Sequence, residues 1–269
     1  MSCATRQVIL AVVALALALA PARAQTRPTA LAKAWQNPIG SVIAAPFDNS
    51  FSYGQDTAQN AIYALEVQGI VPIRFHDGMR LVPRLVSPFS EVPFTNGSHF
   101  DIGDSRLDVL YAGGVTDAHD GLAFGIGPAF SIPTATNPEL SSGKWEAGLS
   151  LAQVASEGAW VAGVRLTQLW SIAGPASRPA TAQFVGEPFV YYNFADGWSL
   201  VSAPEIRTDW RGSWRDNWTL PVGGGIAKTF SGVGQSFATT VAAYANTLRS
   251  AGAPTWAMHA ELSLLYPHR

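Results

Sequence analysis

Along residues 121–172 apolar and polar positions alternate with a period of two. In the first segment Leu122, Phe124, Ile126, Phe130 and Ile132 fall on one face, while Ala123, Gly125, Gly127, Ala129 and Ser131 fall on the other. A strand of a soluble sandwich places large side chains inward and charged ones outward. Here the second face is small and nearly uncharged, and the large face is rich in aromatics. That pattern predicts a wall between an apolar medium and a crowded or watery lumen.

The same alternation recurs through the chain. It predicts strands over 62–75, 79–89, 105–111, 121–132, 145–154, 159–172, 183–194, 198–210, 214–230, 235–248 and 256–266. A weaker stretch, 39–51, is blurred by Pro46 and by Asp48-Asn49-Ser50. Single-chain bacterial barrels have an even strand count, so the weak stretch is expected to complete about 12 strands. The predicted fold class is all-β, a single antiparallel transmembrane β-barrel. Pro72, Pro83, Pro128, Pro188, Pro204 and Pro221 lie inside these runs. Each removes a ladder donor and should mark a bulge or a strand end. Short connections at His76-Asp77-Gly78, Glu157-Gly158 and Ala195-Asp196-Gly197 alternate with longer ones around 91–103, 137–143 and 175–181. This matches periplasmic turns and extracellular loops.

If the apolar face meets lipid, the opposite face collects Glu66, Arg80, Arg84, Arg106, Asp108, Arg165, Glu187, Glu205, Arg207, Asp209, His259 and Glu261 as candidate lumen-lining residues. Two readings stay open. In one, the lumen is a polar channel or solute site, with arginines as fixed donors to a carboxylate or phenolate. In the other, ion pairs pack and plug the interior. Trp145, Trp160, Trp170, Trp198, Trp210, Trp218 and Trp256 sit mostly near strand ends, as does Trp214. They suit aromatic girdles at two membrane interfaces.

Composition narrows the class. Hydrophobic residues are 48% and charged residues only 13% of the 269 residues, with mean hydropathy +0.13. A soluble domain carries about a quarter charged residues. The net charge of -2 offers nothing basic enough for nucleic acid. The first 24 residues read as a signal peptide, with Arg6, an apolar run from Val8 to Leu19 and a Pro21-Ala22-Arg23-Ala24 cleavage box. Residues 25–38 form an N-terminal leader and 39–269 the barrel. The single cysteine, Cys3, falls in the signal peptide, so no disulfide or Cys-ligated metal is expected in the mature chain. Five scattered histidines form no HExxH, and no metal or cofactor is expected. A phospholipid hydrolase is the enzymatic rival, since His259 and Ser263 share the last strand. They share its polar face with Glu261, however, and no GxSxG elbow exists. No catalytic residue is assigned.

Several segments in order carry a resemblance: Ala45-Pro46-Phe47-Asp48-Asn49, Gly125-Ile126-Gly127-Pro128, Ile132-Pro133-Thr134-Ala135-Thr136, Ser142-Gly143-Lys144-Trp145, Tyr192-Asn193-Phe194, Gly197-Trp198, Trp218-Thr219-Leu220-Pro221 followed by Val222-Gly223-Gly224-Gly225, and Leu264-Leu265-Tyr266-Pro267. Together they resemble a family of bacterial outer-membrane proteins labelled transporter or neuromedin U, similar to the phenol meta-cleavage pathway outer-membrane proteins. The resemblance implies an outer-membrane barrel in contact with lipids that passes small, hydrophobic or aromatic solutes. It implies no catalytic residue. The competing expectations are a structural barrel with a packed charged interior and a soluble secreted carrier.

Overall fold

The computed structural model describes residues 28–54, 62–94, 97–114, 119–212, 217–250 and 253–267. The expected signal peptide and Trp214 lie outside them.

Fifteen strand segments form one closed antiparallel ring: β1 (Ile43–Tyr53), β2 (Ile62–Ile70), β3 (Ile73–Arg74), β4 (Arg80–Phe94), β5 (Gly97–Ile102), β6 (Ser105–Gly114), β7 (Gly121–Ile132), β8 (Trp145–Glu157), β9 (Trp160–Ala173), β10 (Ala182–Asn193), β11 (Trp198–Ser202), β12 (Ile206–Asp209), β13 (Leu220–Gly232), β14 (Gln235–Leu248) and β15 (Trp256–Tyr266). Three staves are each broken in two, as β2/β3, β5/β6 and β11/β12, so the barrel has twelve staves. The weak first strand is real. β1 pairs with β15 along its whole length, from Ile43↔Tyr266 to Tyr53↔Trp256, and this ladder closes the ring.

Two of the three breaks hold a proline, whereas Pro83, Pro128 and Pro188 stand inside the continuous strands β4, β7 and β10 and not at the bulge or strand end expected of them. The β2/β3 break falls at Val71-Pro72, and the facing strand carries Pro83 there. The β11/β12 break holds Pro204, and β10 places Pro188 in the facing gap between its pairs to β12 and β11. Two donor-less residues share each gap, so the ladder is interrupted there twice rather than four times. Pro221 lies at a register shift against β14. One expected loop is corrected. Residues 91–103 are not a long loop, because β4 runs on to Phe94 and turns back as β5, pairing Phe94↔Gly97.

The wall faces follow the alternation. On β7, Leu122, Phe124 and Ile126 are 59%, 61% and 51% exposed, while Ala123 and Ala129 are 2% and 0% exposed. The large face is outside and the small face inside, the reverse of a soluble sandwich. Aromatic residues band both ends. Trp145, Trp170, Trp210 and Trp256 are exposed at the long-loop end, where Tyr53 stacks on Trp256 at 5.1 Å. The half-buried Trp218 packs edge-on against Trp210 there. Trp160 and Trp198 are exposed at the short-turn end, and Tyr192 packs edge-on against Trp160 at 4.8 Å. The turn before Trp198 places Asp196 and Gly197 at φ 57 and 77, the two successive positive values a tight hairpin needs.

An N-terminal helix, α1 (Pro28–Gln36), sits inside the short-turn end. Pro28 opens it, where a missing N–H costs nothing. Asn37-Pro38 ends it, since the residue before proline avoids the α region. At nine residues it would be marginal alone. Burial holds it instead. Leu31, Ala34, Ile39 and Val42 join one apolar cluster with inward residues of nine staves, among them Ala44, Ile70, Val82, Leu110, Ala123, Val154, Val161, Ala238 and Leu265. The described part of the 25–38 leader therefore plugs this end of the barrel.

Ile126 stands mid-strand on the outer face of β7. Ile126→Arg is expected to destabilise the folded barrel by about 2–4 kcal/mol, the cost of a midplane cation on a lipid face. Ile126→Ala should lose far less. Urea unfolding of the protein in lipid vesicles measures both.

Candidate functional site: the barrel lumen

Two features divide the lumen. The first is the plug. Lys33 Nζ donates to Asp120 Oδ1 at 2.9 Å and to the Gly158 carbonyl at 3.0 Å. Gln36 and Asn193 exchange amide hydrogen bonds, both 2.9 Å, and Gln36 Nε2 also reaches Ser199 Oγ at 3.1 Å. At the start of α1, Thr29 Oγ1 accepts from the Gly197 N–H and donates to the Phe194 carbonyl. These latches all run to the short turns or to strand ends beside them. The Lys33 hydrogen bond, helped by the Gly158 N–H, holds the Asp120 carboxyl below its ordinary range.

The second feature is a chord of charge across the barrel. Arg84 on β4 donates from Nη1 and Nη2 to the Glu187 carboxylate on β10, at 3.4 and 3.1 Å. These strands are not neighbours. One way around the ring β6, β7, β8 and β9 separate them, and the other way six staves do. The pair therefore spans the lumen.

On the β6–β9 side the space is filled. Arg84 Nη1 lies 3.8 Å and Arg106 Nε 3.9 Å from Asp108 Oδ2, and Arg165 Nη1 lies 4.0 Å from Glu187 Oε2. Arg80, Arg106, Asp108, Ser150 and Thr167 are all buried there. Ser150 and Thr167 share a hydrogen bond of 3.0 Å. The inward Gly and Ala positions of β7 and β8 make room for these long arginine side chains.

On the other side a cavity of about 540 Å³ remains open. Its floor is Trp35, Gln36 and Pro38 of the plug region, and its walls come from β1, β2, β4 and β10–β15, with Arg165 contributed by β9. Of the candidate lumen residues, Glu66, Arg84, Arg165, Glu187, Glu205, Arg207, His259 and Glu261 line this cavity. Arg80, Arg106 and Asp108 lie in the filled half. Asp209 sits apart, at the rim, where its carboxylate accepts from the Ala182 and Arg211 N–H groups. Asp48, Tyr191 and Tyr244, absent from the candidate set, also line the cavity. Asp48 falls in the blurred first strand, where alternation gives no clear face, and the tyrosines carry no charge at neutral pH that would mark them as lumen residues.

His259 Nδ1 lies 2.9 Å from Asp48 Oδ2, and Ser263 donates to Glu261 instead. The pairing of His259 with Ser263 that a hydrolase needs is not made. Among the described residues no group of three or more His, Cys, Asp or Glu is arranged to hold a metal.

No protein-family model matches the chain, and no curated protein matches its sequence. Solved structures do match its shape. An outer membrane channel from Pseudomonas putida F1 superposes with a TM-score of 0.60 at 14% identity, covering 85% of this chain and 96% of the channel. The NanC porin superposes with a TM-score of 0.54 at 8% identity, covering 83% of this chain and all of the porin chain (100%). At such identities the likeness shows the fold, which is that of outer-membrane channels.

Breaking one partner of the chord leaves a buried charge unpaired. Glu187→Gln is expected to cost about 3–5 kcal/mol of stability, and the joint change Arg84→Met with Glu187→Leu to recover only part of it, because Arg165 still loses its carboxylate neighbour. Denaturant titration followed by tryptophan fluorescence reads both. The Asp120 latch has a pH sign. A depressed carboxyl stabilises the docked helix above its unfolded-state pKa, and that contribution is lost as pH falls through the folded-state value. A cysteine placed at the buried Ala32 is thus expected to react with 4,4′-dithiodipyridine, which labels thiols in acid, faster in acid than at neutral pH when each rate is referred to an exposed cysteine. Asp120→Asn should react at the faster rate at neutral pH.

Proposed function

We propose that this protein resides in the outer membrane and conducts small solutes through a lumen closed at rest by its N-terminal helix. The observation that carries this reading is the cavity of about 540 Å³ beside the Arg84–Glu187 chord, in a barrel whose outer face is apolar. A purely structural barrel has no need to leave that side unfilled. The fold shared with an outer membrane channel and a porin points the same way. Short turns on the plug side identify that end with the periplasm. No step of hydrolysis enters this reading, because His259 is committed to Asp48 and Ser263 to Glu261.

The resemblance to the phenol-pathway outer-membrane proteins suggests hydrophobic or aromatic solutes. The aromatic side chains of Trp35, Phe189 and Tyr191 in the cavity fit such cargo, but the charged groups around them demand a polar part as well. One specific feature favours the rival structural reading, namely the filled β6–β9 half. The rival predicts that the remaining cavity never opens at the plug.

Planar-bilayer recording of the refolded mature chain separates the two. The intact chain is expected to show small, infrequent openings. A variant with Leu31→Asp and Lys33→Ala, which loses an apolar anchor and a latch, should show larger and steadier current. A barrel that folds, shown by heat-modifiable migration, yet carries no current in either form would refute conduction.

A further inference from the structure

The open cavity carries its uncommitted charges on opposite walls. Asp48, Glu66 and Glu261 face one another in the ladder, as Asp48↔Glu66 and Asp48↔Glu261, and all three line the cavity. Like charges at opposed cross-strand positions cost stability, so this row needs a compensating role. Asp48 has His259 as a partner. Among the described residues the hydrogen-bond partners of Glu66 and Glu261 are neutral, the amide of Gln68 at 2.7 Å and the hydroxyl of Ser263 at 2.6 Å.

The opposite wall offers the reverse. β9 stands six staves from β1 in either direction around the ring, and it contributes Arg165 to the cavity. The Arg165 side chain is 5% exposed and its buried Nε has no hydrogen-bond partner. Among the described residues the carboxylate within 4.0 Å of it, Glu187, already receives both Nη groups of Arg84. A guanidinium so deeply buried, with donors to spare, is an anion site awaiting its partner. Between the walls lie Trp35, Phe189 and Tyr191.

We propose that this cavity binds a small zwitterion of the α-amino-acid type, with its carboxylate on Arg165 and its ammonium toward Glu66 and Glu261. Its apolar side group rests among Trp35, Phe189 and Tyr191. A simple anion gains Arg165 but faces the acidic row. A simple cation gains that row but faces Arg84 and Arg165. Only a solute carrying both charges matches both walls. The volume of about 540 Å³ is in the range of small-molecule sites, about 300–1,000 Å³. The assignment rests on the conduction reading for its purpose, though binding can be measured without current.

Isothermal titration of the refolded wild-type protein with three probes tests it: L-phenylalanine, its N-acetyl derivative and its amide. The free amino acid is expected to bind about tenfold or more tightly than either singly charged probe, the worth of one charge-assisted hydrogen bond. Arg165→Gln should weaken the free amino acid to the level of the amide and leave the amide unchanged. Glu66→Gln with Glu261→Gln should weaken it while sparing the N-acetyl form. If Arg165→Gln does not fold, the wild-type probe series decides alone. Equal affinity for all three probes, or no binding by a heat-modifiable barrel, overturns the zwitterion site. Current through the plug-loosened variant in that case leaves conduction standing. Absence of both rejects the two readings together.

Discussion

Every stave of this wall must find a partner for its backbone groups, because hydrocarbon offers none. Ring closure is therefore the constraint on which the rest depends, and the β1–β15 ladder supplies it. β1 is the poorest strand by alternation, carrying Pro46 and Asp48-Asn49-Ser50, yet it is required by the pairing of everything else. Its polar residues then acquire a use, since an inward position in a closed barrel faces a lumen and not lipid. Asp48 is part of the cavity wall for this reason.

Closure also explains the unusual distribution of side-chain size. A twelve-stave ring has more interior than its own inward side chains can fill if they are small. Along β7 and the middle of β8 they are small, and long arginine side chains stand buried on β4, β6 and β9. The long, flexible arginine stems cross the gap while their heads meet Asp108 and Glu187. Several of these pairs stand at 3.8–4.0 Å, loose for direct hydrogen bonds. The Arg84–Glu187 bond is the tight member and sets the boundary of the open half.

Much of the wall was legible in the sequence because period two is a local property. The eleven strong segments and the weak twelfth all appear as staves, and the prolines mark interruptions at Pro72 and Pro204 as their missing donors require. What escaped reading was non-local. Arg84 and Glu187 lie 103 residues apart, and no spacing rule places their heads together across a lumen. The plug escaped because Leu31, Ala32 and Ala34 are a thin apolar signal, and their partners are inward residues scattered over nine staves. The 91–103 region was misread because its polar residues suggested a loop, whereas backbone pairing extends a hairpin beyond the apolar band regardless of side-chain polarity.

The two parts of the plug are held by different forces, and this difference decides what can move. Ile39 and Val42 are buried in the apolar cluster and run directly into β1, so expelling them would break the dry seal and strain the closing strand. Each buried side chain of that kind is worth about 1.5–3 kcal/mol. The helix itself offers two large apolar groups, the buried Leu31 and the partly buried Trp35, and is otherwise fastened by Thr29, Lys33 and Gln36. Hydrogen bonds of this sort contribute about 0.5–1.5 kcal/mol net, because water replaces them when they open. The exposed Asp120 end of the Lys33 bond is the easiest of these to replace. Displacement of α1 about an anchored Ile39 thus costs far less than extraction of the whole 28–42 segment, and it uncovers the same cavity floor.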